Sequence, residues 1–125
     1  MNAQHIINEL QQQYPGKTII KNDEDNPTEI ICEIDPTSEH PEFNVAIAVI
    51  DSSISHYHTL SQEEYEVIKG ELIVTIDGKE FTLHAGEKIT IHPGSIHSAV
   101  GRETWIKATS RPGWAPGDHI LVKTD

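Results

Sequence analysis

Cysteine is nearly absent: Cys32 is the only one in 125 residues. No intrachain disulfide can form, and thiolate-rich zinc sites are excluded. Basic residues are also scarce, nine Lys and Arg against twenty Asp and Glu, for a formal net charge of −11. So acidic a chain repels nucleic acid and anionic membrane. A small molecule, or a second copy of the chain, is the expected partner. No apolar run reaches the length of a membrane span, and the start "MNAQHIINEL" lacks the basic and long apolar regions of a secretory signal. These absences lead to the expectation of a soluble protein in a reducing cytoplasm.

What is present is pattern. Only 36% of the residues are apolar, but they fall in periodic runs, and the length suits one domain with one core, residues 1–125. Residues 3–13, "AQHIINELQQQ", put Ile6, Ile7 and Leu10 at helical spacing, and Pro15-Gly16 stops the pattern. A short amphipathic helix with its turn is therefore expected over 1–16. Beyond it the texture is β-like. "KTII" and "TEIICEI" are short β-branched runs around the polar turn "KNDEDNP", and "DPTSEHPE" reads as loop.

In "FNVAIAVID" the large residues Phe43, Val45, Ile47 and Val49 share one face and suit a core. The small Asn44, Ala46 and Ala48 share the other, which suits close cover by another sheet, the helix or a second subunit. "ELIVTI" and "EFTLHAG" flank Asp77-Gly78, a strong hairpin signal. Further short strands, "EKITIH", "HSAV", "TWIKATS" and "HILV", are punctuated by Gly and Pro. The sum is an all-β barrel or sandwich, with the barrel over about 43–109 and a C-terminal segment over 110–125.

Within it, "ISHYHTLSQEEYEVIKG" places His56 and His58 on one strand face. Glu63, Tyr65 and Val67 alternate with Glu64, Glu66 and Ile68. If Val67 faces the core so does Glu63, and an inward carboxylate needs a partner to offset its desolvation. His97 follows the Pro93-Gly94 turn, which can aim the next strand inward. Three imidazoles and one carboxylate suit Mn, Fe, Co, Ni or Zn as divalent ions rather than calcium or Cu(I), and four protein donors leave positions open for a small-molecule substrate. Tyr65 lies on the ligand face, either lining the pocket with a phenolic proton or sitting in the core. His92 is either a turn residue near the mouth or a group behind the ligands. Either Tyr65 or His92 is a candidate catalytic base.

The run His56-x-His58-x4-Glu63-x6-Gly70, followed by Gly86-x7-Gly94-x2-His97, resembles the two sequence motifs of the cupin superfamily. Where the family usually has glycine, proline and asparagine, this chain has Ile50, His92 and Gly101. The resemblance implies a single jelly-roll β-barrel with a short N-terminal helix. It also implies the metal ligands His56, His58, Glu63 and His97, and a homodimer. The tail "SRPGWAPGDHILV" is similar to the endings of small cupins near mannose-6-phosphate isomerase, with Trp114 either a lid over the pocket or a packed anchor. The expected function is a metal-dependent enzyme on a sugar or sugar phosphate, isomerase-like. An Fe(II) dioxygenase and a non-enzymatic metabolite binder are the alternatives.

Overall fold

The computed structural model describes residues 1–122. Helix α1 spans Ala3–Gln13. Its start is fixed by Asn2, whose side chain accepts a hydrogen bond from the His5 amide at 3.2 Å. Its end comes at Tyr14, whose amide donates to the Leu10 carbonyl just before Pro15-Gly16. Ile6 and Leu10, one turn apart, are the residues that α1 buries. No described helix is long and apolar enough to cross a membrane.

Ten strands form one antiparallel, curled sheet. They are β1 (Ile19–Lys21), β2 (Glu29–Asp35), β3 (Asn44–Ser52), β4 (His56–Tyr57) and β5 (Gln62–Lys69), then β6 (Glu71–Ile76), β7 (Lys79–His84), β8 (Lys88–Ile91), β9 (His97–Arg111) and β10 (Ile120–Leu121). The sheet thus takes in strands on both sides of the 43–109 stretch. "HSAV" and "TWIKATS" are not two strands but one, because β9 runs through the intervening residues. β9 lies along β3 on one edge, and along β6 and then β5 on the other. The change of partner falls where Glu103 takes φ 46°. A Cβ on nearby Gly101 would collide with the Thr104 hydroxyl and lie 3.1 Å from the Ile50 carbonyl, so only glycine fits. The Asp77-Gly78 turn has φ 49° and 82° and closes the β6–β7 hairpin in register.

Two apolar clusters flank the sheet formed by β2, β3 and β9. Inside the curl lie Ile50, Val67, Leu72, Val74, Leu83 and Ile106. Outside, α1 covers Ile30, Cys32, Ile47, Val49 and Trp105 with Ile6 and Leu10. On β3 the large residues are buried in a core as expected, but it is they, and not the small ones, that the helix covers. Ile47 and Val49 face the helix, while Asn44, Ala46 and Ala48 face inward, where small side chains leave room for a cavity.

Candidate metal centre

Each donor is brought in by a different local device. His56 lies on β4 and pairs directly with His97, the first residue of β9. His58 ends the same extended run. Glu63 stands near the start of β5 between Ile91 of β8 and Ser110 of β9. Strand alternation sends Glu63 inward with Tyr65 and Val67, and all three are buried. The donor atoms of His56, His58, Glu63 and His97 lie within 4.8 Å of one another, and all four side chains are buried.

The imidazoles are oriented from behind. Nδ1 of His56 lies 2.8 Å from the Ile54 carbonyl, Nδ1 of His58 lies 2.9 Å from that of Asp118, and Nδ1 of His97 lies 3.0 Å from that of Ser95. A carbonyl can only accept, so each Nδ1 carries a proton and each ring turns its Nε2 inward, where it offers a lone pair whenever the ring is neutral. Nε2 of His58 sits 2.7 Å from Glu63 Oε1 and Nε2 of His97 sits 3.1 Å from the same oxygen. The His58 contact is close but poorly aligned, and this buried nitrogen has no hydrogen-bond partner among the described residues. Nitrogen lone pairs facing a carboxylate are held together by a shared cation, either a proton or a metal ion. The donor set fits a divalent transition metal.

The electrostatics agree. Burial would push Glu63 up, but the imidazoles of His58 and His97 hold it down at about 2. Burial, with the neighbouring His97, lowers His56 to about 4, so it stays a neutral ligand over a wide pH range. His58 is raised: burial opposes its charge, but the Glu63 carboxylate and the Asp118 carbonyl outweigh it.

The donors open on a cavity of about 200 Å3, small beside the usual ligand pockets. Tyr65 lines it, its ring centroid 6.2 Å from that of His97. Burial first, then Glu63, drives the Tyr65 hydroxyl well above its ordinary pKa, so the phenol keeps its proton. Trp114 also lines the cavity and is partly exposed at its mouth. His92 lies elsewhere, exposed in the turn after β8 and absent from the cavity wall. A wider hollow of about 640 Å3, between α1 and the bend of β9, holds no convergent donor set among the described residues.

Glu29 escapes the sequence reading, and the roles of Asp118 and His119, in the tail that the sequence marks, emerge only from the structure. Glu29 lines the cavity from β2, and burial, then the charge of Glu63, raises its carboxyl to about 7. The alternation of Glu29, Ile31 and Glu33 against Ile30, Cys32 and Ile34 was visible, but it reads as a solvent face. His119 stacks on His56 at 4.3 Å and 25°, and its Nδ1 accepts from the Trp114 indole at 3.3 Å. Asp118 is buried and its carboxylate accepts from the amides of Thr59, Leu60 and Ser61 and from the Thr59 hydroxyl. Those bonds hold its pKa well below the usual carboxylate range, against the opposing effect of desolvation. Asp118 thereby ties the C-terminal segment to the turn after His58 and also supplies that ring's carbonyl.

The comparisons follow the same outline. A family model described as "Cupin domain" matches residues 43–104. No curated protein matches the chain in sequence. Among solved structures, the fold is similar to a variant of Pac13 from Streptomyces bound to uridine. That match has a TM-score of 0.76 at 13% identity, over 88% of this chain and 88% of that one; Pac13 is described as a nucleoside dehydratase. KdgF from Halomonas sp. has a TM-score of 0.63 at 17% identity, over 72% of this chain and 84% of that one. HppE in its Fe(II) form has a TM-score of 0.65 at 16% identity, over 77% of this chain and 56% of that one. With its two motifs, its curled antiparallel sheet and its matching domain model, this chain belongs to the cupin superfamily.

Proposed function

We propose that the chain is a metal-dependent enzyme acting on a small hydroxyl- or carbonyl-bearing molecule, isomerase-like in its chemistry. The observation that carries the reading is the convergence of four buried donors, with Nε2 of His58 2.7 Å from the inward Glu63 but not aligned for a hydrogen bond, while all three Nδ1 atoms are anchored from behind. A divalent ion held by His56, His58, Glu63 and His97 would act as a Lewis acid on a substrate oxygen.

The chain's own residues do the rest. Tyr65 keeps its proton and can donate a hydrogen bond into the cavity. Glu29, with its carboxyl raised to about 7, is placed to take up or return a proton at neutral pH. Trp114 and His119, their rings meeting edge to face, line the mouth of the cavity. Exposed Ile54, Leu60 and Leu121 are apolar surface that a second copy would cover in a homodimer.

An Fe(II) dioxygenase is the second reading, since the same buried three-histidine, one-carboxylate set serves it. Elemental analysis after anaerobic purification, with turnover assays on a panel of small carbonyl and hydroxyl compounds, tests both. About one Mn, Zn, Co or Ni ion per chain with oxygen-independent turnover is expected. Iron with O2 uptake would move the assignment to the oxygenase, and full metal with no turnover to a metabolite binder. His58→Ala should lose the metal while circular dichroism stays that of a folded β protein.

A further inference from the structure

The polar groups of the cavity are unevenly charged. Glu29, Glu33 and Glu63 all line it, and among the described residues no lysine or arginine does. The cations lie elsewhere: Lys21 pairs with Glu24, Lys69 covers the outer face of Trp105, and the Arg111 guanidinium sits over the Phe43 ring. Glu29 and Glu33 stand four residues apart on the inward face of β2, with Ile31 between them. Neither carboxylate has an ion pair or hydrogen-bond partner among the described residues. Beside them on the same sheet, Ile31, Ala46, Ala48 and Ile106 give the cavity an apolar lining, and Asn44 and Ser110 add uncharged polar atoms.

We propose that Glu29 and Glu33 act as a charge filter, so that the cavity takes an uncharged, hydroxyl-bearing ligand and excludes its phosphorylated or carboxylated counterpart. This rests on the metal-site reading above and narrows its substrate class. Three carboxylates outnumber the two charges of a divalent ion, so an anion drawn to the metal meets net repulsion from the rest of the wall. A phosphate site would need an arginine fork, a lysine or a helix N-terminus, and among the described residues none of these lines the cavity. A ligand that touches both the ion and the carboxylates gains most from neutral hydroxyls, which can meet the metal through oxygen and donate protons to Glu29 and Glu33. An organic cation suits the carboxylates but is repelled by the ion. Burial, and after it the charge of Glu63, raises the Glu29 carboxyl.

The test uses the full chain loaded with Co(II), its absorption band serving as the readout, at pH 8 where Glu29 is ionised. Inorganic phosphate and ribose 5-phosphate are titrated into the unaltered protein, E33Q and the double variant E29Q/E33Q. Metal content is measured in each. Co(II) stoichiometry should be the same in all three, since neither glutamate is a ligand. Both anions should perturb the band of the double variant at concentrations roughly tenfold lower or more than in the unaltered protein, the scale expected when two nearby like charges are removed. E33Q, whose side chain is only partly buried, should show a gain of about threefold, which keeps the idea testable if the double variant folds poorly. Equal midpoints in all three proteins, or no anion response in any of them, overturn the filter while leaving the metal site standing. Failure of the unaltered protein to take up Co(II) overturns the metal site and the filter together.

Discussion

At the residue scale, the site is decided by which nitrogen of each histidine holds the proton. Carbonyls of Ile54, Asp118 and Ser95 take the Nδ1 protons, which leaves three Nε2 lone pairs around one carboxylate. Protons therefore compete with the ion. His58, raised above its ordinary value, is the first of the ligands with a displaced pKa to become charged as pH falls. His56, held near 4, follows later, and Glu63, near 2, remains ionised throughout. Metal occupancy should accordingly fall as pH drops through about 6. Dialysis at stepped pH followed by elemental analysis reads this directly, and full occupancy at pH 4 would contradict it. His56, His58 and Glu63 were legible in the sequence as candidate donors because alternate positions on a strand share a face, and because the parity of Val67 fixes that of Glu63; His97 came from the second motif. Glu29 was not, because a carboxylate alternating with isoleucine looks the same whether it faces water or a cavity.

At the scale of elements, the C-terminal segment is fastened by one side chain. Asp118 receives the amides of Thr59, Leu60 and Ser61, and its carbonyl receives His58. Further along, β10 pairs with β4, Leu121 opposite His56. Asp118→Asn removes the charge and an acceptor in a buried place, which should cost about 1–3 kcal/mol of stability by urea unfolding and weaken metal retention. Its contribution also has a pH sign. The folded-state pKa lies below the unfolded value of 3.8, so the stabilisation is present above that value and is lost as pH falls further. In the Asn variant this acid-dependent part of the unfolding curve should be absent. Sequence marked the segment through Pro112, Pro116 and Trp114, but not its fastening, since Asp118 and Thr59 are far apart in the chain. The β6–β7 hairpin was legible for the opposite reason: its turn and both strands are contiguous.

At the scale of the molecule, two apolar clusters hold the fold, one inside the curl and one under α1, and neither needs the ion. Chelation should thus leave a folded protein. Restoring Zn(II) or Co(II) at a hundredfold excess over its Kd should add about 2.7 kcal/mol, seen in calorimetry as a rise of several degrees in Tm. A metal-free chain that shows no cooperative transition would place the ion among the supports of the fold. The net charge of −11 belongs to the same scale, and part of it is turned inward at Glu29, Glu33 and Glu63.

The sequence by itself determined the helix, the run of short strands and the hairpin, because each depends on local spacing and alternation, and its two motifs pointed to the four candidate donors. Only the tertiary structure decided that the small face of β3 and the acidic face of β2 are the inside. It also decided that Asp118 and His119 return to stand behind and above His58 and His56. Alternation defines two faces of a strand but not which of them the curl of the sheet will enclose. That choice is made by contacts between residues distant in the chain, through the long pairing of β9 with β3 and β5.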